Sequence, residues 1–152
     1  MIKKLVREIY FAFLNFTYFV RIHFGMKAFG LGMVASLIKF EFHFHFHGSQ
    51  FLFFPSAARS YGFLPIGIPN EPETHKFFER IMVGRSDVLF IDVGASIGEF
   101  AITMANDTRV SKVLAFEPHP QSRDALAKSP QYAPPGKIEI ISKGVSLKKR
   151  AC

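Results

Sequence analysis

The fold is decided by Val88-Leu-Phe-Ile-Asp-Val-Gly-Ala-Ser-Ile-Gly-Glu-Phe100. A short apolar, β-branched run ends in Asp92, passes through a loop that contains Gly94 and Gly98, and enters a stretch with helical spacing. A second apolar run further along the chain ends in another carboxylate, Glu117. This succession is typical of a nucleoside site at the carboxyl ends of parallel strands, where the loop approaches the ligand and the second carboxylate accepts the ribose hydroxyls.

Strands and helices alternate around this stretch, and the alternation predicts a parallel, doubly wound α/β sheet. The predicted elements are strand 88–93, helix 97–106, strand 112–116, helix 120–128 and strand 137–141. An earlier helix, capped by Asn70 and running through Val83, leads into the first strand. Its predicted buried face consists of Phe77, Phe78, Ile81 and Met82.

Residues 1–69 form a basic, phenylalanine-rich leader. They hold fourteen of the nineteen phenylalanines, and seven Lys/Arg against two Asp/Glu give this segment a charge of +5. Residues 3–22 have helical spacing with a narrow polar strip, which fits either a buried helix or a helix in a membrane interface. A weaker helix is expected over residues 26–38, and residues 55–69 form a loop that we expect to be the domain seam.

A β-hairpin is predicted from Lys39 to Phe54, because the period of the sequence changes to two. Phenylalanines occupy one face of its first strand, histidines occupy the other, and Gly48-Ser49-Gln50 is expected to form the turn. Histidine is a common metal ligand, but alternate residues lie about 6.6 Å apart along a strand, too far apart to converge on one ion. We therefore interpret the histidines as a solvated polar face and predict no metal site.

The composition of the whole chain limits its class. Its 152 residues include one cysteine, Cys152, so no intrachain disulfide is possible and nothing indicates an oxidising compartment. We expect a cytoplasmic protein, with association with a membrane as the alternative. The longest apolar run, Ile9 to Val20, is shorter than the 18 or so residues that a transmembrane helix requires. The basic residues form no clusters that would follow a phosphate backbone, which argues against nucleic acid as a partner. An anionic membrane surface or a hydrophobic partner suits the leader better.

Two chemistries fit the loop after the first strand poorly. A dinucleotide fingerprint requires a glycine where this chain has Asp92, whose carboxylate would meet the pyrophosphate. Gly94-Ala-Ser96-Ile-Gly98 also matches the nucleophile elbow of hydrolases. However, His119 is the only histidine after Ser96, and the other members of such a triad normally come from later strands.

S-adenosylmethionine fits the loop better, because it carries an ammonium, a carboxylate and a sulfonium but no phosphate. Asp92 can favour the cationic groups, and the N–H groups at the start of the following helix can favour the anionic group. Gly94 and Gly98 allow close approach of the backbone, while Glu117 can accept both ribose hydroxyls. The alternative for the glycines is a tight strand-to-helix turn without a ligand.

The motifs resemble those of the FkbM-type class I methyltransferases over residues 70–146. They are Asp92-Val-Gly-Ala-Ser-Ile-Gly98, Ala115-Phe-Glu-Pro118 and Ser142-Lys-Gly-Val-Ser146. The resemblance implies a Rossmann-like sheet and transfer of a methyl group from S-adenosylmethionine to a hydroxyl of a sugar or natural product. It makes the cofactor contacts Asp92, Gly94, Ser96, Gly98 and Glu117, of which Ser96 stands where the family usually has asparagine.

The expected architecture is therefore a partial Rossmann-like sheet at residues 70–152, truncated after its third strand, behind the leader at residues 1–69. The family orders its strands 3-2-1-4-5-7-6, so the first strand would have an open edge available for association. No catalytic base can be assigned, although His119 lies close to Glu117 in sequence. The alternative function is a non-catalytic membrane-associated or protein-interaction module built on the leader.

Overall fold

The computed structural model describes residues 2–26, 30–129 and 133–145. Contacts divide the chain into two compact units, Met1–Ile81 and Met82–Cys152. This boundary falls later than the seam that the sequence predicts at residues 55–69. Within the part of the chain that the structure describes, no helix has both the length and the apolar character that crossing a membrane requires.

Unit 1 begins with two helices, α1 (Ile2–Phe24) and α2 (Leu31–Ser36). Tyr10 and Leu14 of α1 are buried, and Tyr10 makes an edge contact with Phe53, with ring centroids 5.9 Å apart. The second helix is shorter than predicted at its start, because Gly30 caps it in the left-handed conformation, with φ of 79°. Residues 27–29 of the predicted helix lie outside the described residues.

The predicted hairpin is confirmed as β1 (Phe42–Phe46) paired antiparallel with β2 (Ser49–Phe53). The phenylalanines of β1 are buried, while His43 and His45 are exposed. The sequence pattern places the turn one residue too late. The turn consists of His47 and Gly48, both with positive φ as a tight hairpin turn requires, and Ser49 already pairs with Phe46.

The predicted loop after the hairpin contains two short 3₁₀ helices, Pro55–Ser60 and Leu64–Ile66. Tyr61 lies between them and is 1% exposed. Its hydroxyl donates a hydrogen bond to the Leu52 carbonyl at 2.8 Å and accepts one from the Phe54 N–H at 2.9 Å. Burial raises the pKa of Tyr61 well above its usual range, so the hydroxyl stays protonated and fixes this segment to the end of β2.

Helix α3 (Pro72–Ile81) closes unit 1, and its predicted buried face is wrong in part. Phe77 and Ile81 are exposed, at 51% and 38%, whereas Met82 is buried as expected. The buried side chain of α3 is His75, which packs against Phe46 with ring centroids 5.3 Å apart. The imidazole of His75 is therefore the side chain of α3 that packs against the aromatic face of the hairpin.

Unit 2 is the predicted alternating unit. Its elements are β3 (Val88–Val93), α4 (Glu99–Asn106), β4 (Val110–Phe116), α5 (Pro120–Lys128) and β5 (Ile138–Ile141). The three strands are parallel, in the order β3-β4-β5. The chain is therefore an α/β protein with a partial Rossmann-like parallel sheet, as the sequence predicts.

The core of unit 2 consists of small and aliphatic side chains that are almost completely buried. They are Ala101, Ile102 and Ala105 of α4, Val113 and Ala115 of β4, and Ala125 and Leu126 of α5. Strand β3 lies at one edge of the described sheet, and its Leu89, Ile91 and Val93 side chains are 53–60% exposed. The open edge expected from the sequence is thus present in the described residues, while association through it stays a prediction.

Candidate functional site

The candidate site lies where β3 and β4 end, because parallel strands bring their carboxyl ends to the same edge of the sheet. The loop after β3 begins with Gly94 and Ala95, whose N–H groups both donate to the Phe116 carbonyl, at 2.9 Å and 3.0 Å. This shared acceptor attaches the first loop to the last residue of β4. The arrangement follows directly from the parallel register, in which Val93 lies opposite Phe116.

Glu117 is the centre of the site. One oxygen of its carboxylate accepts a hydrogen bond from the Ser96 N–H at 2.8 Å, and the other accepts one from the His119 N–H at 2.7 Å. The Glu117 N–H donates to the Ile141 carbonyl at the end of β5, at 3.0 Å. The side chain is only 7% exposed. Glu117 thus connects the loop after β3, the loop after β4 and the end of β5.

The two glycines of the loop have different surroundings. Both have positive φ, 84° at Gly94 and 91° at Gly98, which explains why neither carries a side chain. A Cβ at Gly94 would meet no atom within 4 Å, whereas a Cβ at Gly98 would lie 2.5 Å from Leu126 Cδ1 and 2.9 Å from Ile102 Cδ1. Packing of α4 against α5 therefore accounts for Gly98, and only Gly94 borders open space.

The remaining predicted contacts, Asp92 and Ser96, lie at the same edge of the sheet. We call this edge, formed by the carboxyl ends of β3 and β4 and the loops that follow them, the rim. Asp92 is half-buried, is paired in register with Ala115, and has its Oδ2 atom enclosed. Ser96 has φ of 51°, an uncommon conformation for a residue other than glycine, asparagine or aspartate. This conformation accompanies the hydrogen bond from its N–H to Glu117. The structure therefore brings all five predicted residues to one loop edge, although their roles as cofactor contacts stay a prediction.

Two features of the rim could not be assigned from the pattern of carboxylates and glycines alone. Glu99, in the first turn of α4, is only 8% exposed, so the rim holds a further buried carboxylate near a helix N-terminus. His119 is the N-cap residue of α5, and its backbone N–H, not its ring, holds Glu117. Pro120, which favours the first turn of a helix, correctly places the start of α5 but does not indicate that the backbone of His119 holds Glu117.

The third motif lies beside the second. A Cβ at Gly144 would lie 3.9 Å from Pro118 Cγ, so the segment after β5 passes close to the loop after Glu117. Ser142, Lys143 and Val145 are exposed, and Ser146 of the motif lies outside the described residues. The three predicted motifs are therefore neighbours at the carboxyl end of the sheet.

A nucleophile elbow at Ser96 finds no support in these contacts. Among the described residues no hydrogen bond joins the Ser96 hydroxyl to the His119 ring, which a nucleophile and its base require. Within the described ranges, no three His, Cys, Asp or Glu side chains are grouped so that they could hold a metal ion.

Comparison with known proteins gives similarities of fold. No protein-family model and no curated protein matches the chain. Among solved structures, M. jannaschii TYW2 in complex with AdoMet is similar at 18% identity and a TM-score of 0.47, over 66% of this chain and 42% of that one. Trm5b from Pyrococcus abyssi is similar at 16% identity and a TM-score of 0.44, over 66% of this chain and 27% of that one. The chain thus covers less than half of the length of either protein.

Proposed function

We propose that the chain carries an S-adenosylmethionine site of a class I methyltransferase, at the carboxyl ends of β3 and β4. The observation that carries this proposal is the Glu117 carboxylate, which two backbone N–H groups hold at the rim beside the glycine loop. Such a fixed carboxylate after the second strand is the group that a ribose diol requires. The resemblance of the three motifs to the FkbM-type methyltransferases points to the same ligand.

The residues at the rim fit this cofactor. A carboxylate offers about four acceptor positions, of which two are used by Ser96 and His119, so Glu117 retains positions for two ribose hydroxyls. The open space beside Gly94 allows the ligand to approach the backbone of the loop. The start of α4 favours an anionic group and the Asp92 carboxylate favours cationic groups, which matches the amino-acid end of the cofactor.

When bound, S-adenosylmethionine supplies a sulfonium methyl group that a nucleophile can displace. The chain's own residues contribute orientation: Glu117 would hold the ribose, and the loop at residues 94–98 would fix the position of the amino-acid end. Such positioning accounts for most of the rate that a transfer of this kind gains. We propose a hydroxyl of a small molecule or glycan as the acceptor, with the base that removes its proton unassigned.

Cofactor binding is tested by calorimetry with S-adenosylmethionine and S-adenosylhomocysteine on the full chain. We expect the wild-type protein to bind both, and Glu117→Gln to weaken binding by about tenfold, the effect of losing one good hydrogen bond. Gly94→Ala should also weaken binding, because its Cβ would occupy the open space through which the ligand approaches the loop. Glu139→Gln is the matched control, because Glu139 is an exposed carboxylate on β5, paired with Lys112 at 3.0 Å. Absence of binding by the wild-type protein would show that this rim is not a cofactor site.

The acceptor is tested separately, with radiolabelled methyl donor and pools of glycans, small hydroxylated compounds and RNA. Label in the glycan or small-molecule pool that depends on Glu117 supports the proposal. Label in RNA alone would contradict both the small-molecule or glycan acceptor and the exclusion of nucleic acid that the charge distribution predicts.

A further inference from the structure

Helix α1 exposes a continuous apolar stripe on the side turned away from the core of unit 1. Its residues recur at steps of three and four, which places them on one face of the helix. They are Ile2, Leu5, Ile9, Ala12, Phe16 and Phe19, which we call the outer stripe. The five large side chains are 50–77% exposed, and the stripe runs for about 25 Å at 1.5 Å per residue.

The opposite face of α1 is already occupied. Leu14 is completely buried, and Tyr10 and Tyr18 make edge contacts with Phe53 and Phe63, with centroid distances of 5.9 Å and 5.4 Å. The outer stripe therefore contributes nothing to this packing. Contiguous exposed apolar patches are uncommon on monomeric proteins and usually mark a surface that binds something.

Cations lie in the first and last turns of α1, outside the outer stripe. Lys3 and Lys4 lie in the first turn and Arg21 in the last, all three are exposed, and the Arg21 guanidinium lies 6.0 Å from the centre of the Phe63 ring, on the side of the helix that packs on unit 1. Cations in a first turn oppose the helix dipole, so the stability of the helix does not explain the two lysines. An anionic surface lying along the helix would attract the cations at both ends.

The lysines also border a cleft. It has a volume of about 270 Å³ and is lined by Lys3, Lys4, Arg7, Phe40, Glu41 and Phe42. Arg7 is paired with Glu8 at 2.8 Å, and the Lys3 ammonium lies 5.9 Å from the centre of the Phe40 ring. The cleft thus combines positive charge with aromatic surface beside the first turns of α1.

A second copy of the chain fits the stripe less well than a membrane does. Parallel pairing of two α1 helices would bring the two lysine pairs together, and antiparallel pairing would bring Lys3 and Lys4 towards Arg21. Paired helices normally carry complementary charges beside their apolar seam. Here Glu8 is the only charged residue among the flanking positions 6, 8, 13, 15, 20 and 22.

We propose that α1 lies along an anionic membrane surface, with the outer stripe inserted among the lipids and the terminal cations on the headgroups. This arrangement places the apolar face among the lipids and the cations of both helix ends near the headgroups, as in amphipathic helices that bind membrane interfaces. Lysine and arginine side chains are long enough to reach the headgroups while their stems stay on apolar surface. The proposal is independent of the cofactor site, because all of its residues belong to unit 1.

The experiment is flotation of the full chain with vesicles of phosphatidylcholine and phosphatidylserine in equal parts, compared with phosphatidylcholine alone. We expect binding to the anionic vesicles that weakens as salt is added. Lys3→Gln/Lys4→Gln should lower the affinity by about thirtyfold at low salt, since each cation near the surface contributes about 1 kcal/mol. Phe16→Ser/Phe19→Ser should lower it by at least about tenfold at every salt concentration, because the apolar contribution is not screened.

Val83→Ser is the control, because Val83 is an apolar residue outside α1 that is 76% exposed, more than Phe16 and Phe19 at 67% and 50%. Circular dichroism and sedimentation of each variant accompany the flotation. Failure of the wild-type protein to bind anionic vesicles overturns the proposal, as does equal binding by Phe16→Ser/Phe19→Ser. A wild-type dimer that this double substitution converts to a monomer, without any lipid binding, would instead assign the stripe to a second copy.

Discussion

Replacement of Glu117 tests whether its carboxylate fixes the two loops of the candidate site. The carboxylate accepts hydrogen bonds from the Ser96 and His119 N–H groups, at 2.8 Å and 2.7 Å, in a side chain that is 7% exposed. Hydrogen bonds to charged groups contribute about 1.5–3 kcal/mol each. Glu117→Gln keeps one acceptor oxygen and should lose one bond, about 1.5–3 kcal/mol, whereas Glu117→Ala should lose both, about 3–6 kcal/mol.

Hydrogen exchange of the full chain, measured by NMR or mass spectrometry, reads these bonds directly. In the wild-type protein the Ser96 and His119 amides should exchange slowly. We expect Glu117→Gln to accelerate one of them and Glu117→Ala both, each by about tenfold or more, as the loss of at least 1.4 kcal/mol requires. Glu139→Gln should change neither amide. Unaltered protection in both Glu117 variants, or equal destabilisation by the two substitutions, would refute the assigned geometry.

Three further predictions concern other contacts. Gly94→Ala should lower the free energy of unfolding by about 1–2 kcal/mol, because of the positive φ alone. Gly98→Ala should lower it by about 2–5 kcal/mol, because the added Cβ also overlaps Leu126. Urea unfolding measures both values. Tyr61→Phe should lower the free energy of unfolding by about 1–3 kcal/mol in the same assay, since it removes the hydroxyl that bonds the Phe54 N–H and the Leu52 carbonyl. The hydrogen bond from Arg109 lowers the pKa of Asp107, so this stabilisation is present above the unfolded pKa, near 4, and is lost as the pH falls through the lower folded value. Thermal melts across pH 2–7 should accordingly show a smaller loss at acid pH for Asp107→Asn than for the wild-type protein.

The sheet could be predicted from the sequence because its signals are local. Each strand of unit 2 is a short apolar run, and each helix begins at a glycine or proline that favours a helix start. The register then follows from the parallel connections, which place the ends of β3 and β4 side by side. For this reason the residues after Val93 and Phe116 could be assigned to one site from their order in the chain.

Contacts between distant segments could not be predicted in the same way. Helical spacing indicates that α3 has an apolar face but not what packs on it, so the burial of His75 and the exposure of Phe77 depend on the position of the hairpin. The hairpin turn lies one residue earlier than its sequence pattern indicates because His47 adopts positive φ, a conformation that glycine adopts far more readily than histidine does.

The glycine loop shows most clearly what a pattern leaves undecided. Gly94 and Gly98 are the same residue with nearly the same φ, and a motif assigns both to the cofactor. The structure separates them by what lies next to them, since Leu126 and Ile102 crowd Gly98 while the space beside Gly94 is open. A residue that packing already explains does not support a ligand site. The cofactor proposal therefore depends on Gly94 and on the Glu117 carboxylate, and Gly94→Ala should weaken binding of S-adenosylmethionine while destabilising unit 2 less than Gly98→Ala does.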